Sequence, residues 1–181
     1  MINIRKLETE LWEAADLLRA DSKVTSQEYC MPVLGLIFLR YISAAFEKRY
    51  NELVAEGEGF EEDLDEYVSE NIFFVPQNAR WSEIAKAAHT PEIGKILDQA
   101  MIEVEKNNKA LKGVLPKNYA APDLDKRVLG NVVDGGIGEG IFHAPHAKFI
   151  LGAAGAVTLA KGGLHKALGI LGIVDQAKFH Q

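Results

Sequence analysis

The sequence predicts a mainly α-helical protein: a bundle-like body with one short extended or hairpin segment and a Gly/Ala-rich C-terminal appendage. Three observations predict it. Residues 33–46, VLGLIFLRYISAAF, hold the densest run of large apolar side chains, with Leu34, Ile37, Phe38, Tyr41 and Ala45 at helical spacing. Apolar residues recur every three or four positions elsewhere too, as Leu7, Leu11, Ala14, Leu18 and as Ile93, Ile96, Leu97, Ala100, Val104. The run of β-formers at 72–75 is short and is halted by Pro76.

In chain order, 5–20 reads as an amphipathic helix broken by Asp21-Ser22. Thr25-Ser26-Gln27-Glu28 reads as a capping box, in which hydroxyl and carboxylate satisfy orphan amides reciprocally. Pro32 falls in the first or second turn of the helix that this box would start. Between Leu34 and Leu39 apolar character wraps most of the cylinder, as in a helix buried among others. Burying Leu36, Ile37, Phe38 and Leu39 contributes roughly 6–12 kcal/mol before entropy, at about 1.5–3 each. That matches the whole net stability of a typical domain, so the neighbours should pack around this element. Beyond Leu39, Arg40, Ser43, Glu47, Lys48 and Arg49 give it a wet side.

After Asn51 the chain turns acidic, from Glu56 to Glu70 with no basic residue between. Such a block reads as a solvated, flexible surface around Gly57 and Gly59, with a short helix near 61–69; docking a basic partner or repelling DNA phosphate is the functional alternative. Residues 72–81, IFFVPQNARW, predict an extended segment laid on the helices. Ser82 is placed to cap a short helix to Ala88, and Thr90-Pro91 to start the next, which Asn107-Asn108 ends. VLPKNYAAPDLD, with two prolines, reads as a structured loop. Residues 134–181 contain ten of the sixteen glycines and only seven charged residues. Weak helices at 149–160 and 164–174 would need to pack on the body or across a homodimer to bury their apolar side chains.

At 181 residues with net charge −6, the chain can bury a real core but lacks the basic surplus of a protein that binds nucleic acid alone. The single Cys30 excludes an internal disulfide framework and suits a reducing cytoplasm. No signal peptide is recognisable, and no uncharged run reaches membrane-spanning length.

No motif of catalytic chemistry is complete. NVVDGGIGEG (131–140) would need a third glycine at Ile141 and a preceding strand to cradle a dinucleotide, so it reads as a connector. His143 and His146, with His165 and His180 further on, lack the cysteines or carboxylates that would complete a metal ligand set. Neither a nucleophile elbow, a zinc-protease helix nor a phosphate-binding P-loop occurs. No catalytic, cofactor-binding or metal residues are therefore assigned. The charge reversal at 106–127 leaves Lys106, Lys109, Lys112, Lys117, Lys126 and Arg127 as the candidate DNA contacts, the first three repeating every third residue. Against them, residues 1–133 carry sixteen basic and twenty-three acidic side chains, a net of −7. DNA contact should thus be weak and non-specific, or these lysines merely keep a helix end and loop soluble.

Four stretches in order, LWEAADLLR (11–19), residues 29–46 with GLIFLRYIS at their centre, FVPQNARW (74–81) and LKGVLPKNYAAPDLD (111–125), resemble one family. It is the N-terminal helical region of the modification (M) subunit of type I restriction–modification enzymes. The resemblance spans nearly all of 5–133 and implies a helical domain preceding a Rossmann-like methyltransferase domain. It implies two M subunits flanking a specificity subunit, and adenine methylation by S-adenosylmethionine in the whole enzyme. The helical domain would embrace DNA and hold subunits together. The catalytic Asn-Pro-Pro-aromatic motif and the glycine-rich cofactor motif are not found, so this chain alone is expected to bind no cofactor and to be inactive. From Asp134 the family pattern is lost, as in a truncated or frame-shifted subunit. The expectations are a domain over 1–133, a divergent tail over 134–181 and a cytoplasmic location. The partners would be specificity and other modification subunits and DNA, with a homodimer as an option and no membrane. The alternative is a free-standing helical interaction or inhibitor module.

Overall fold

The computed structural model describes residues 26–135. The helix expected at 5–20, Thr25, the tail helices with any homodimer contact they make, and the four C-terminal histidines lie outside them. Within them the chain forms five α-helices and no strand: α1 (Ser26–Glu56), α2 (Leu64–Val68), α3 (Trp81–Lys86), α4 (Ile93–Asn107) and α5 (Lys126–Val133), with 3-10 turns at Gln77–Ala79 and Lys109–Leu111. No helix among the described residues is long and apolar enough to cross a membrane.

The 31-residue α1 supplies more buried apolar side chains than any other element among the described residues. Leu34, Leu36, Ile37, Phe38, Leu39, Ile42 and Phe46 are all buried, on more than one face, as expected of a helix surrounded by others. Pro32 lies in its second turn. Helix α4 adds Ile93, Leu97, Ala100, Met101 and Val104 to the core, with Ile96 partly covered. It packs on α3, α5 and both 3-10 turns. The expected apolar stripe is thus the buried one, with Met101 as an addition. Trp81 and Phe38 are core residues.

Three local expectations are corrected, all by partners other than those the local sequence suggests. Ser43 is not on a wet side: it is fully buried, and its hydroxyl accepts the Trp81 N–H at 2.8 Å. It thereby satisfies an orphan amide of the first turn of α3, whose N-cap Arg80 offers no side-chain cap. Ser82, expected to cap that helix, lies inside it. Thr90-Pro91 does not start α4, which begins at Ile93. The Thr90 hydroxyl instead donates back to the Ala87 carbonyl at 2.8 Å, closing the turn after α3.

The extended segment expected at 72–81 is cut short: residues 72–76 carry neither helix nor a partner strand among the described residues, and a 3-10 turn at Gln77–Ala79 and then α3 follow. Asn71, in the left-handed region that asparagine tolerates, redirects the chain into 72–76. The Asn108 side chain takes the place of a neighbouring strand. Its Oδ1 accepts the Phe74 N–H at 3.0 Å, and its Nδ2 donates to the Phe74 and Val104 carbonyls at 2.8 and 2.7 Å. Phe74 is thereby held edge-on to Phe46 and Tyr67, ring centroids 5.3 and 5.5 Å away, while Phe46 and Tyr67 stack at 4.5 Å.

Two arginines from outside the acidic block order part of it, so it is not the uniformly free surface its composition suggests. Arg49 of α1 approaches Glu52, Glu56, Glu66 and Glu70 at 3.2–3.7 Å. Burial pulls its pKa down, but Glu70, Glu56 and Glu66 outweigh that and hold it above the ordinary value. Arg80 places two hydrogen bonds on Glu62, at 2.8 and 3.0 Å, and one on the Val75 carbonyl at 3.2 Å. Its guanidinium also lies 4.8 Å from the centroids of both the Phe46 and Tyr50 rings. Tyr67 is buried beneath, its hydroxyl donating to the Glu61 carbonyl. Burial first, and Glu62 second, push its pKa up to about 12.

Candidate nucleic-acid interface

The basic stretch runs from the last turn of α4 through the loop that leads into α5. Leu111, Leu115, Tyr119 and Leu124 anchor this loop in the core. Tyr119 is fully buried, and its hydroxyl donates to the Pro32 carbonyl of α1 at 2.7 Å. Two helical glycines let the loop lie this close. A Cβ on Gly35 would stand 2.4 Å from the Tyr119 hydroxyl and 2.5 Å from the Pro116 ring, and one on Gly94 would stand 2.4 Å from the Tyr119 carbonyl oxygen.

The loop's backbone polar groups are satisfied by side chains. Asp98 of α4 accepts the Tyr119 and Ala120 N–H groups at 2.8 and 3.1 Å. One heptad further, Glu105 accepts those of Gly113 and Leu115 at 3.1 and 2.8 Å and pairs with Lys117 at 2.7 Å. Lys126 donates to the Tyr119, Ala121 and Leu124 carbonyls at 2.9, 2.5 and 2.9 Å. Burial lowers its pKa, with Asp123, Asp98 and Asp125 opposing, and three carbonyl acceptors match its three donors.

Burial disfavours the Glu105 carboxylate, but the hydrogen bonds from Lys117, Leu115 and Gly113 outweigh it and hold its pKa below the ordinary value. A depressed carboxyl pKa stabilises the fold above the unfolded-state pKa, and that contribution is lost as pH falls through the folded one. Glu105→Gln should therefore destabilise by about 1–2 kcal/mol at neutral pH, between the contributions of neutral and charge-assisted hydrogen bonds. The deficit should be smaller at about pH 3, below the usual carboxylate value, than at neutral pH, because the contribution is lost as pH falls from the unfolded-state pKa toward the lower folded one. Thermal melts at both pH values check this, and an equal deficit at both would exclude the charged role.

The six candidate residues thus divide. Lys117 is engaged by Glu105, and the Lys126 ammonium is fully occupied by loop carbonyls. Arg127 is 88% exposed and touches Asp125 at 3.3 Å, the residue whose carboxylate also accepts the Arg127 and Val128 N–H groups at the start of α5. Lys106 projects into solvent with a distant Glu103 contact of 3.9 Å. Lys109 and Lys112 are exposed, with no ion pair among the described residues. They stand at the two ends of the 3-10 turn, Lys109 as its first residue and Lys112 as its C-cap.

Helix α5 is an element that the apolar runs alone do not reveal, although Asp125 followed by Val128, Leu129, Val132 and Val133 is a capped helical pattern. Its last two valines, which a dinucleotide loop would need in a strand, are helical. Gly136 to Gly140 lie outside the described residues. Asp98 and Glu105 are functional to the loop and stand outside the six candidates. Their signal in the sequence is two carboxylates a heptad apart on the helix preceding a Gly- and Pro-containing loop. No cluster of side chains able to hold a metal ion occurs among the described residues.

The fold and this loop define an all-α module whose polar side chains hold one loop against two helices. The chain belongs to the HsdM N-terminal domain family, whose model matches residues 7–135. It is 35% identical over 136 residues to the type I restriction enzyme MjaIX methylase subunit of Methanocaldococcus jannaschii. The similarity covers 66% of this chain and 24% of that protein.

Proposed function

We propose that residues 7–135 act as the helical module of a type I modification subunit. The module holds specificity and modification subunits together and touches DNA non-specifically, without carrying methyl transfer. The observation that supports this best is the family match over the whole helical body, which also takes in the 106–127 basic stretch. S-adenosylmethionine belongs to the whole enzyme in this reading. The described helices supply no strand–glycine loop–helix unit for it. Calorimetric titration of the chain with S-adenosylmethionine should give no heat of binding, and a stoichiometric micromolar isotherm would overturn that part.

DNA contact is assigned to Lys106, Lys109 and Lys112, with Arg127 in support, because their charges are exposed. The domain's acidic surplus opposes DNA at long range, so the Kd should be no tighter than about 10⁻⁴–10⁻⁶ M. Replacing Lys106, Lys109 and Lys112 together with glutamine leaves the loop's internal bonds intact. Affinity should then fall alike for all duplex sequences, and the salt slope should shrink by up to about 0.9 per lost phosphate contact. An unchanged slope would reduce these lysines to solubilising groups.

A further inference from the structure

Phe60, Leu64 and Val68 are 48%, 39% and 58% exposed and recur every fourth residue. Leu64 and Val68 share one face of α2, and Phe60 precedes them by one turn, its carbonyl accepting the Asp63 N–H at 2.9 Å. The other side of α2 is committed to the body, where Tyr67 is buried and Glu66 reaches Arg49 at 3.2 Å. The apolar stripe therefore faces outward. Of the eight carboxylates between Glu56 and Glu70, Arg49 and Arg80 engage Glu56, Glu62, Glu66 and Glu70. Glu58, Glu61, Asp63 and Asp65, which bracket Phe60 and Leu64, have no cationic partner among the described residues.

The two observations together specify an occupant. Four uncompensated negative charges repel one another and any nucleic acid, and the same short segment exposes three apolar side chains, Leu64 and Val68 on one face of α2 and Phe60 in the turn before it. We propose that segment 60–68 docks a basic amphipathic helix of a partner protein. Its apolar side chains would seat on Phe60, Leu64 and Val68, and its Lys or Arg side chains would lie opposite Glu58, Glu61, Asp63 and Asp65. The stripe is small, so the contact belongs to the low end of interface size, with charge supplying orientation and association rate. This surface shares no residue with the lysines assigned to DNA and does not depend on them.

The probe is a fluorescein-labelled leucine–lysine peptide of about 18 residues, long enough to form a helix, with leucines repeating at i, i+4. A peptide of identical composition with the leucines scrambled is its control. In anisotropy titrations the amphipathic peptide should bind the full chain about tenfold tighter than the control, a difference of about 1.4 kcal/mol. L64S/V68S, at exposed positions and checked by circular dichroism, should abolish that difference. E58Q/E61Q/D65N should weaken binding at low salt and flatten its salt dependence. Equal affinity for both peptides would overturn the proposal, as would binding that neither variant alters. A fall in solution mass caused by L64S/V68S would overturn it too, because the occupant would then be a second copy of the chain.

Discussion

Phe38→Ala should lower the free energy of unfolding by about 3–5 kcal/mol, the range for truncating a buried aromatic. Phe38 is fully buried in α1, with Phe73 against it at a ring-centroid distance of 6.1 Å. The loss has two parts: the apolar surface no longer removed from water, and the cavity left where neighbours fail to collapse. Collapse is restricted here because Leu34, Leu39 and Ile42 are themselves buried on the same helix. Ile37→Ala should fall at about 2–5 kcal/mol for the same reason. Val54→Ala, at a half-exposed position late in α1, should stay within about 0.5 kcal/mol. Denaturant midpoints at constant m-value give these differences directly. A loss below about 1 kcal/mol at both Phe38 and Ile37 would mean that α1 is not the element the body packs on.

What is legible in the sequence is what depends on near neighbours. The apolar spacing in 33–46 and in Ile93, Leu97, Ala100 and Val104 identifies α1 and α4 because burial imposes the helical period on the residues themselves. Pro76 and the aromatic run before it mark the extended segment for a similarly local reason. The misplaced details depend on residues far apart along the chain. Ser82 and Thr90 lie next to helix starts that they do not cap, and the N–H of Trp81 goes instead to Ser43, 38 positions away. The acidic block reads as free because its cations, Arg49 and Arg80, lie outside it. The loop at 114–125 is recognisable as ordered, but its anchors are not: Tyr119 reaches Pro32 across 87 positions. The candidate DNA contacts meet the same limit. Lysine spacing alone cannot distinguish Lys109 and Lys112, which are exposed, from Lys126, whose donors are consumed by carbonyls.

Asn108→Leu should cost about 2–5 kcal/mol, although it exchanges a polar side chain for an apolar one of similar volume in an almost fully buried site. The side chain makes three hydrogen bonds, at 2.7–3.0 Å, to the Phe74 N–H and to the Phe74 and Val104 carbonyls. Leucine removes all three and leaves the buried Phe74 pair without a partner. Orphaned groups of this kind cost about 1–3 kcal/mol each, which outweighs the gain from burying leucine. Asn108→Asp separates loss of hydrogen bonding from loss of shape. The introduced carboxylate can still accept the Phe74 N–H, but its second oxygen would face the two carbonyls that now accept from the amide. Burial and those carbonyls disfavour the charged form, so the folded-state pKa of the new carboxyl is raised. Its protonated form can donate, so stability should be greatest below the unfolded-state pKa of about 3.9 and should fall as pH rises through the raised folded value. The Asn108→Leu deficit has no titrating group of its own and should not show this trend. Unfolding of both variants followed from about pH 4 to pH 8, relative to the unmodified chain, tests the account. If the aspartate variant parallels the leucine variant at every pH, Asn108 fills space and does not complete the backbone of the extended segment.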